Sequence, residues 1–196
     1  MSAPTRWLQI WTRMKRTDPN LLSARQTVEI DLGCKGRLAG MELWTLWEIG
    51  WRGEGPVGEE ILSATTALAN PNRELAWLRC EDNAAGPPGP RAGSWRWCIV
   101  WDRAGAAAPH AFRVCERLLG KRNMTCEELV RAAVWGLSWG PAVEDPAAAT
   151  RDVAIAKSRR SGLLANPHVQ AVQFFSETIP FPWWEGRRDE SERRPV

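Results

Sequence analysis

The chain has 196 residues, of which 44% are apolar and 25% are charged, and its formal net charge is +3 at neutral pH. A chain of this length suits one domain, and its apolar fraction excludes a globally disordered protein. This net charge is too small to indicate a nucleic-acid-binding protein by itself.

Cysteine usage and hydropathy bear on the cellular compartment. The five cysteines, Cys34, Cys80, Cys98, Cys115 and Cys126, are an odd number and form no CxxC pair. The N-terminus lacks the uninterrupted apolar run and the small-residue cleavage site of a secretory signal. No stretch approaches the roughly 18 to 20 apolar residues that a membrane span needs. We therefore expect free thiols in a reducing, intracellular environment, and no membrane span.

The first quarter of the chain predicts a β-hairpin. In residues 7–14 the apolar side chains have a spacing that fits a helix and a short strand equally. Apolar and polar side chains alternate in residues 27–33, and apolar residues recur at every second position in residues 41–51. A period of two is typical of half-buried strands, so these last two stretches are predicted to pair as an antiparallel hairpin.

Two short helices are predicted next, over residues 59–68 and 71–78. An Asn-Pro pair precedes the second one and supplies a cap and a first-turn proline. In residues 95–101 tryptophans alternate with other side chains, which predicts a strand. Residues 1–108 are thus predicted to form a Trp-rich, mostly β region with two short helices.

Residues 109–120 and 125–139 carry the patterns of two successive helices. Thr125 stands at the N-cap position of the second helix, and Glu128 follows three residues later, which is the capping-box pattern. A Gly-Pro pair comes directly after this stretch, and both residue types commonly end a helix. The sequence therefore predicts a helix over residues 125–139.

The remainder of the chain completes the predicted fold. Residues 109–180 are predicted to form a helical region, with a further helix that starts at Asp145 and Pro146. Residues 181–196 are first Pro-rich and aromatic and then highly charged, which predicts a disordered tail. The order of elements favours the α+β class: a small antiparallel Trp-rich sheet with a helical segment in the C-terminal half.

The sequence carries no catalytic or metal-binding motif. It contains no GxxxxGK[ST], HExxH or GxSxG pattern, and its two histidines leave little room for a catalytic relay. A Cys3His zinc site formed by Cys98, His110, Cys115 and Cys126 is an alternative, but their spacing fits no standard zinc motif. Cys115 also lies on the apolar side of its predicted helix, where a free Cys is usually a small core residue. We predict no catalytic residues, no metal site and no cofactor.

Leu129, Ala133 and Leu137 form an apolar stripe on the predicted helix 125–139. These positions, at i, i+4 and i+8, share one helix face, and the small Ala side chain lets another backbone approach closely. The stripe suits a helix that docks in a groove of a partner protein. It also suits a helix that packs on the core of its own domain, and spacing alone leaves both interpretations open.

Trp44, Trp47 and Trp51, with Arg52 beside them, form the second candidate binding surface. Indole rings stack on nucleic-acid bases and Arg contacts phosphate groups, so these residues are candidates for binding nucleic acid or a protein target. The alternative interpretation is that tryptophans at a period of two belong to the hydrophobic core.

Four stretches of the chain, in order, resemble the virion infectivity factors (Vif) of lentiviruses: RWLQIWTRMKR, VEIDLGCKGRLAGMELWTLWEIGWRG, AFRVCERLLGKRN and ELVRAAVWGL. The first is similar to the Trp-rich opening of that family, and the last has the spacing of its ligase-binding box. In the family this box is a helix that docks on elongin C and recruits a cullin–RING ligase, which ubiquitinates host APOBEC-class deaminases. The resemblance implies that Leu129, Ala133 and Leu137 contact elongin C. It also implies the host cytoplasm or the virion as the location.

The expected function is that of a viral accessory adaptor, which joins a host elongin–cullin ubiquitin ligase to antiviral APOBEC-class deaminases. The alternative is an RNA-binding suppressor of silencing or of the interferon response, with the Trp and Arg side chains as its contact surface. A structural or assembly protein without a recognisable motif is the third interpretation.

Overall fold

The computed structural model describes residues 4–55, 57–80, 95–103, 109–158, 162–176 and 178–184. Within these residues the chain forms a six-stranded antiparallel sheet and four helices, which confirms the predicted α+β class. No helix in this part of the chain is long and apolar enough to cross a membrane. The strands are β1 (Arg6–Met14), β2 (Leu38–Arg52), β3 (Glu74–Cys80), β4 (Trp95–Asp102), β5 (Thr125–Trp139) and β6 (Gln170–Phe175), and the helices are α1 (Pro19–Ile30), α2 (Glu59–Ala64), α3 (Pro109–Gly120) and α4 (Pro146–Ala154).

The strand order is β3-β1-β2-β5-β4-β6, and every neighbouring pair is antiparallel. β2 and β5 have 15 residues each and lie in the middle of the sheet, where Trp47 pairs with Arg131. β3 and β6 are the edge strands. Because successive side chains of a strand point to opposite sides, each strand contributes residues to both faces of the sheet.

Four helices cover one face of the sheet, which we call the helix face. α1 and α4 pack over one part of it, with Met41 of β2 and Leu137 of β5 in the same cluster. α2 and α3 pack over another part, with Trp47, Ile49 and Leu129 in their cluster. The odd-numbered apolar residues of β2 therefore share one face, as their period of two predicts.

α1 and α4 begin with the same local signal, an Asp followed by a Pro. The Asp18 carboxylate accepts a hydrogen bond from the N–H of Asn20 at 2.8 Å, and the Asp145 carboxylate accepts from the N–H groups of Ala147 and Ala148 at 2.9 Å. Such caps satisfy backbone donors that have no partner within the helix, and Pro fits the first turn because it has no N–H. The helix predicted to start at Asp145 is confirmed.

The opposite face, which we call the Trp face, is covered in part by residues 178–184, the C-terminal segment. Its Ile179 and Trp183 belong to the same buried cluster as Leu46 of β2 and Val130 of β5. Several indole rings meet edge to face, a geometry that stabilises beyond the burial of area. The tryptophans of this cluster are Trp11, Trp44, Trp77, Trp95, Trp97, Trp101, Trp183 and Trp184.

The helix predicted over residues 125–139 is wrong, because these residues form β5, between β2 and β4. Both faces of β5 are buried: Leu129 and Leu137 pack under the helices, while Val130 and Val134 pack among the tryptophans. A strand buried on both faces is a nearly continuous apolar run, which periodicity does not distinguish from a buried helix. Pairing with a strand on each side decides the conformation.

Two other predictions of secondary structure are wrong. Residues 27–33 lie mostly in α1 rather than in a strand, because the helix has already started after Asp18, and Ile30 is 63% exposed. Residues 71–78 form a turn and most of β3 rather than a helix. The Asn70 side chain accepts from the N–H of Asn72 at 3.0 Å, which closes a turn, and the chain then pairs with β1.

The predicted division into a β region, residues 1–108, and a helical region, residues 109–180, does not describe the sheet. β5 and β6 come from the second region, and β5 lies between two strands of the first. The start of the predicted tail is also wrong, because Trp183 is 2% exposed. Burying an indole removes a large apolar area from water, which offsets the entropy of ordering this short stretch. Residues 185–196 of the predicted tail lie outside the described residues.

The helix predicted over residues 109–120 and the strand predicted over residues 95–101 are confirmed. The helix predicted over residues 59–68 is confirmed with an earlier end, at Ala64. Residues 7–14, which fit a helix and a strand equally, lie in β1.

Candidate binding sites on the sheet

The stripe of Leu129, Ala133 and Leu137 lies on the helix face of β5 and packs into the core of the protein. Leu129 is 3% exposed in the cluster of α2 and α3, and Leu137 is fully buried in the cluster of α1 and α4. A spacing of four residues keeps side chains on one face of a strand as well as of a helix. The stripe therefore belongs to the core, and a partner reaches Leu129 or Leu137 only if the sheet opens.

Trp44, Trp47 and Trp51 do not form one surface. Trp44 lies on the Trp face and is 2% exposed, whereas Trp47 and Trp51 are buried in the cluster of α2 and α3. Arg52 is partly exposed and forms an ion pair of 2.7 Å with Glu127. Buried rings present no face on which a base can stack, so these residues give no support to the RNA-binding alternative.

The candidate zinc ligands lie in different parts of the fold. Cys98 belongs to the cluster of α1 and α4, Cys115 and Cys126 belong to the cluster of α2 and α3, and His110 is exposed. No three His, Cys, Asp or Glu side chains within the described ranges are grouped so that they could hold a metal ion. Burial raises the pKa of Cys98 and of Cys115 to about 12. Both are therefore neutral thiols at neutral pH, a form that is neither a good nucleophile nor a good metal ligand.

Glu48 is a fully buried carboxylate in β2, on the Trp face of the sheet. Gln9 Nε2 of the neighbouring β1 donates a hydrogen bond to Glu48 Oε2 at 2.8 Å. The backbone N–H of Trp183 donates to Oε2 at 3.1 Å, and the backbone N–H of Trp184 donates to Oε1 at 2.9 Å. Two of these three donors belong to the C-terminal segment. Glu48 therefore anchors this segment, because each of its carboxyl oxygens accepts a hydrogen bond from the segment's main chain.

Two further side chains of the sheet bind the main chain of the C-terminal segment. Arg79 Nη1 donates to the carbonyl oxygen of Ile179 at 2.8 Å, and Gln9 Nε2 donates to the carbonyl oxygen of Pro180 at 3.2 Å. The Arg79 guanidinium also lies over the Phe181 ring, 5.3 Å from its centre, in a cation–π contact. The segment is thus held along its length and not by Glu48 alone.

The two indoles of the segment each donate to an acceptor on the sheet. Trp183 Nε1 donates to Gln173 Oε1 at 3.1 Å, and its ring meets Trp101 edge to face with the ring centres 5.1 Å apart. Trp184 Nε1 donates to the Glu128 carboxylate. The polar atoms of both rings therefore remain paired although the rings pack among apolar side chains.

Burial raises the pKa of the Glu48 carboxyl to about 7 from its ordinary value of 4.5. The three N–H donors and the positive charge of Arg79 act in the opposite direction, but the loss of hydration outweighs them. The folded protein therefore retains a proton on Glu48 at pH values at which an unfolded chain has lost it.

We expect the contribution of Glu48 to stability to decrease as the pH rises from 4.5 to about 7. Since the folded-state pKa lies above the unfolded one, this contribution is present below pH 4.5 and is lost as the pH rises through about 7. Between these two pH values the slope reaches about 1.4 kcal/mol per pH unit. Urea unfolding measures it: the free energy of unfolding of the parent should fall relative to that of Glu48→Gln as the pH rises. Parallel profiles would contradict a raised pKa.

Sequence reasoning missed this site, although the sequence carries a signal for it. Gln9 and Glu48 each interrupt an apolar run, in WLQIW and in LWEIGW. A polar side chain in a buried run needs hydrogen-bond partners, so both positions indicate a buried polar contact. Trp183 and Trp184, the partners of Glu48, lie more than 130 residues away along the chain, and nothing in the sequence connects them.

A second candidate site is the groove between α2 and the edge strand β3, which we call the edge groove. Leu62, Ala76 and Leu78 contribute apolar surface to it, and Glu59 and Glu60 contribute carboxylates. Its volume is about 1330 Å³ and it is open to solvent. Pockets for small molecules commonly measure about 300 to 1,000 Å³ and enclose their ligand. The edge groove is therefore better suited to a peptide segment than to a small molecule.

The function of the chain is inferred from the contacts and the chemistry of these two sites. Comparison with protein-family models, with curated proteins and with solved structures finds no match to the chain.

Proposed function

We propose that the protein is a non-enzymatic adaptor that binds an extended segment of a partner protein in the edge groove. The observation that carries this proposal is the open groove beside β3, which has β1 as its single neighbour among the described strands. A partner segment can add to such an edge as a further strand, with main-chain hydrogen bonds to β3 and side chains in the groove.

β3 lacks the features that usually protect an edge strand from pairing. Its seven residues include neither Pro nor Lys, and its register with β1 is regular. Its two charged side chains make contacts within the protein: Glu74 accepts from the N–H of Asn70 at 2.7 Å, and Arg79 binds the C-terminal segment. Edge strands are commonly protected by free charges, proline or bulges, so among the described residues β3 is open to a partner strand.

The lining of the edge groove indicates the chemistry of the partner. Leu62, Ala76 and Leu78 suit an apolar side chain of the partner segment. Glu60 forms a 2.6 Å ion pair with Arg122, whereas Glu59 is exposed beside it. An exposed carboxylate favours a basic residue over an acidic one. We therefore propose a partner segment that alternates apolar residues with at least one Lys or Arg.

The adaptor class agrees with the resemblance to virion infectivity factors. That resemblance implies elongin C, a cullin and an APOBEC-class deaminase as partners. The elongin contact of that family is made by a helix, whereas Leu129, Ala133 and Leu137 lie in β5. We therefore propose that a partner of this set docks at the edge groove and not on this stripe.

Ala76→Lys is expected to weaken partner binding by about tenfold or more and to leave the thermal midpoint unchanged. Ala76 is exposed and lines the groove, so a Lys side chain there fills space that an apolar side chain of the partner would occupy, and its positive charge repels the basic residue of the partner. The matched control is Leu75→Lys, which is the adjacent position of β3 and points to the other face. A partner recovered from cells with the parent should be titrated against both variants.

Equal binding of the partner to the parent and to Ala76→Lys would reject the edge groove as its site. Hydrogen exchange gives a second readout, because the backbone amides of β3 should become protected when the partner binds. Purified elongin C tests the narrower proposal. If the parent does not bind it, elongin C is rejected as a partner, whereas binding that Ala76→Lys weakens and Leu75→Lys retains supports it.

A further inference from the structure

The C-terminal segment differs from the other parts of the core in how it joins the fold. Residues 178–184 follow β6, the last strand, and pack on the Trp face without forming a strand or a helix. They contribute no strand to the sheet, so their release leaves all of its strand pairings in place. We propose that the surface beneath them is a receptor site for extended peptides that contain Pro and Trp. The chain fills this site with its own residues 178–184 as an exchangeable intramolecular ligand.

The sheet binds the segment in the manner of a peptide receptor, through side chains that contact its main chain. Gln9 of β1, Glu48 of β2 and Arg79 of β3 come from three neighbouring strands. Together they bind two successive carbonyl groups and two successive N–H groups of the segment. These groups exist in every peptide, so the same side chains can bind an extended segment that is not covalently joined to β6.

Specificity for tryptophan comes from the two indole N–H groups. Trp183 donates to Gln173 and Trp184 donates to Glu128, so each indole N–H has an acceptor on the sheet. A Phe or Leu side chain in either place would lose this partly buried hydrogen bond, which lowers the free energy of binding. The Trp183 ring is also almost fully enclosed and meets Trp101 edge to face. The site therefore selects a Trp-Trp pair over other apolar pairs.

The prolines of the segment favour docking for an entropic reason. Pro180 and Pro182 flank Phe181, which lies under the Arg79 guanidinium. Because the proline ring restricts φ, a Pro-containing segment has fewer conformations to lose when it binds. Pro-rich segments on aromatic surfaces are a recurrent mode of peptide recognition, and the Trp face supplies such a surface.

Release of the segment exposes apolar side chains of the Trp face, which favours their coverage by another apolar peptide. Glu48 then loses two of its three donors but opens to solvent, where water replaces them. Another peptide with two successive N–H groups can bind the same carboxylate. The site is separate from the edge groove, which lies between α2 and β3.

The test uses the full chain with a protease recognition sequence in place of residues 176–178, cleaved after folding. Ser176 and Thr178 are exposed, so the protease can reach this stretch. When the cleaved fragment is washed away, circular dichroism should still show a folded sheet. A fluorescently labelled peptide with the sequence of residues 178–186 should then bind saturably. For the same peptide with Trp183→Phe and Trp184→Phe, the dissociation constant should be larger by about tenfold or more.

Glu48→Ala in the cleaved chain should weaken peptide binding by about tenfold or more. The matched control is Glu42→Ala, on the same face of the same strand, because the Glu42 carboxylate accepts from Trp44 Nε1 and not from the segment. This control should bind the peptide as the parent does. If Glu48→Ala does not fold, the Phe-substituted peptide decides the question on the parent chain.

Three results would overturn the proposal. The first is that loss of the fragment unfolds the sheet, which would make the segment an integral part of the core. The second is that the fragment never exchanges with the labelled peptide. The third is that the parent peptide and its Phe-substituted form bind equally well.

Discussion

Leu129→Ser is expected to lower the free energy of unfolding by about 4 kcal/mol, because it removes a buried leucine from β5 and places a hydroxyl in an apolar cluster. Leu129 is 3% exposed and packs with α2, α3 and Trp47. A small domain has about 5 to 15 kcal/mol of stability in total, so this loss should lower the thermal midpoint by many degrees. Urea and thermal unfolding beside the parent measure it.

The matched control for this prediction is Arg131→Ser, two residues further along β5. Arg131 is exposed, and its guanidinium lies 5.4 Å from the centre of the Trp47 ring, so its loss should lower stability by about 1 kcal/mol or less. A parent-like melting curve for Leu129→Ser would show that this position is not core. If the variant unfolds, a loss of elongin binding by the same variant says nothing about the elongin contact.

Trp183→Ala is expected to release the C-terminal segment from the Trp face and to lower the free energy of unfolding by about 3 kcal/mol. The indole is almost fully buried, its N–H donates to Gln173, and its backbone N–H donates to Glu48. Its loss removes the largest buried side chain of the segment. Limited proteolysis should cut residues 178–184 faster in this variant than in the parent.

Deletion of residues 187–196 is the control for this second prediction. These residues are highly charged and contain almost no apolar surface to bury, so we expect the thermal midpoint of the shortened chain to equal that of the parent. The prediction for Trp183 is contradicted if Trp183→Ala and the deletion melt alike. Equal proteolysis of the segment in the parent and in Trp183→Ala would also contradict it.

The elements that the sequence predicts correctly are those with a local cause. In α3 the side chains of Ala111, Val114, Cys115 and Leu119 recur at helical spacing, and all four are buried. In β4 the alternation of tryptophans with other residues matches the two faces of the sheet. At α4 the Asp145 cap starts the helix as expected. A period or a cap acts within a few residues, so it can be read without knowledge of neighbouring elements.

The candidate sites could not be predicted in the same way. Leu129, Ala133 and Leu137 share one face, as their spacing predicts, but that face is internal. Trp44 and Trp47 do not share a surface, because odd and even residues of a strand point to opposite faces. The Glu48 anchor joins β2 to residues more than 130 positions away, and the edge groove forms between a helix and a strand that was predicted as a helix.

The α+β class, the Trp-rich sheet and the helices α2, α3 and α4 follow from the amino-acid sequence alone. That residues 125–139 are a strand and that Trp183 is buried depends on contacts between elements distant in sequence. The apolar run of β5 satisfies a helix and a strand alike, and the hydrogen bonds of β2 and β4 on its two sides favour the strand. Trp183 is ordered because its hydrogen-bond acceptors lie in β2 and β6 and its ring contact lies in β4, and these three strands are distant in sequence and belong to one sheet.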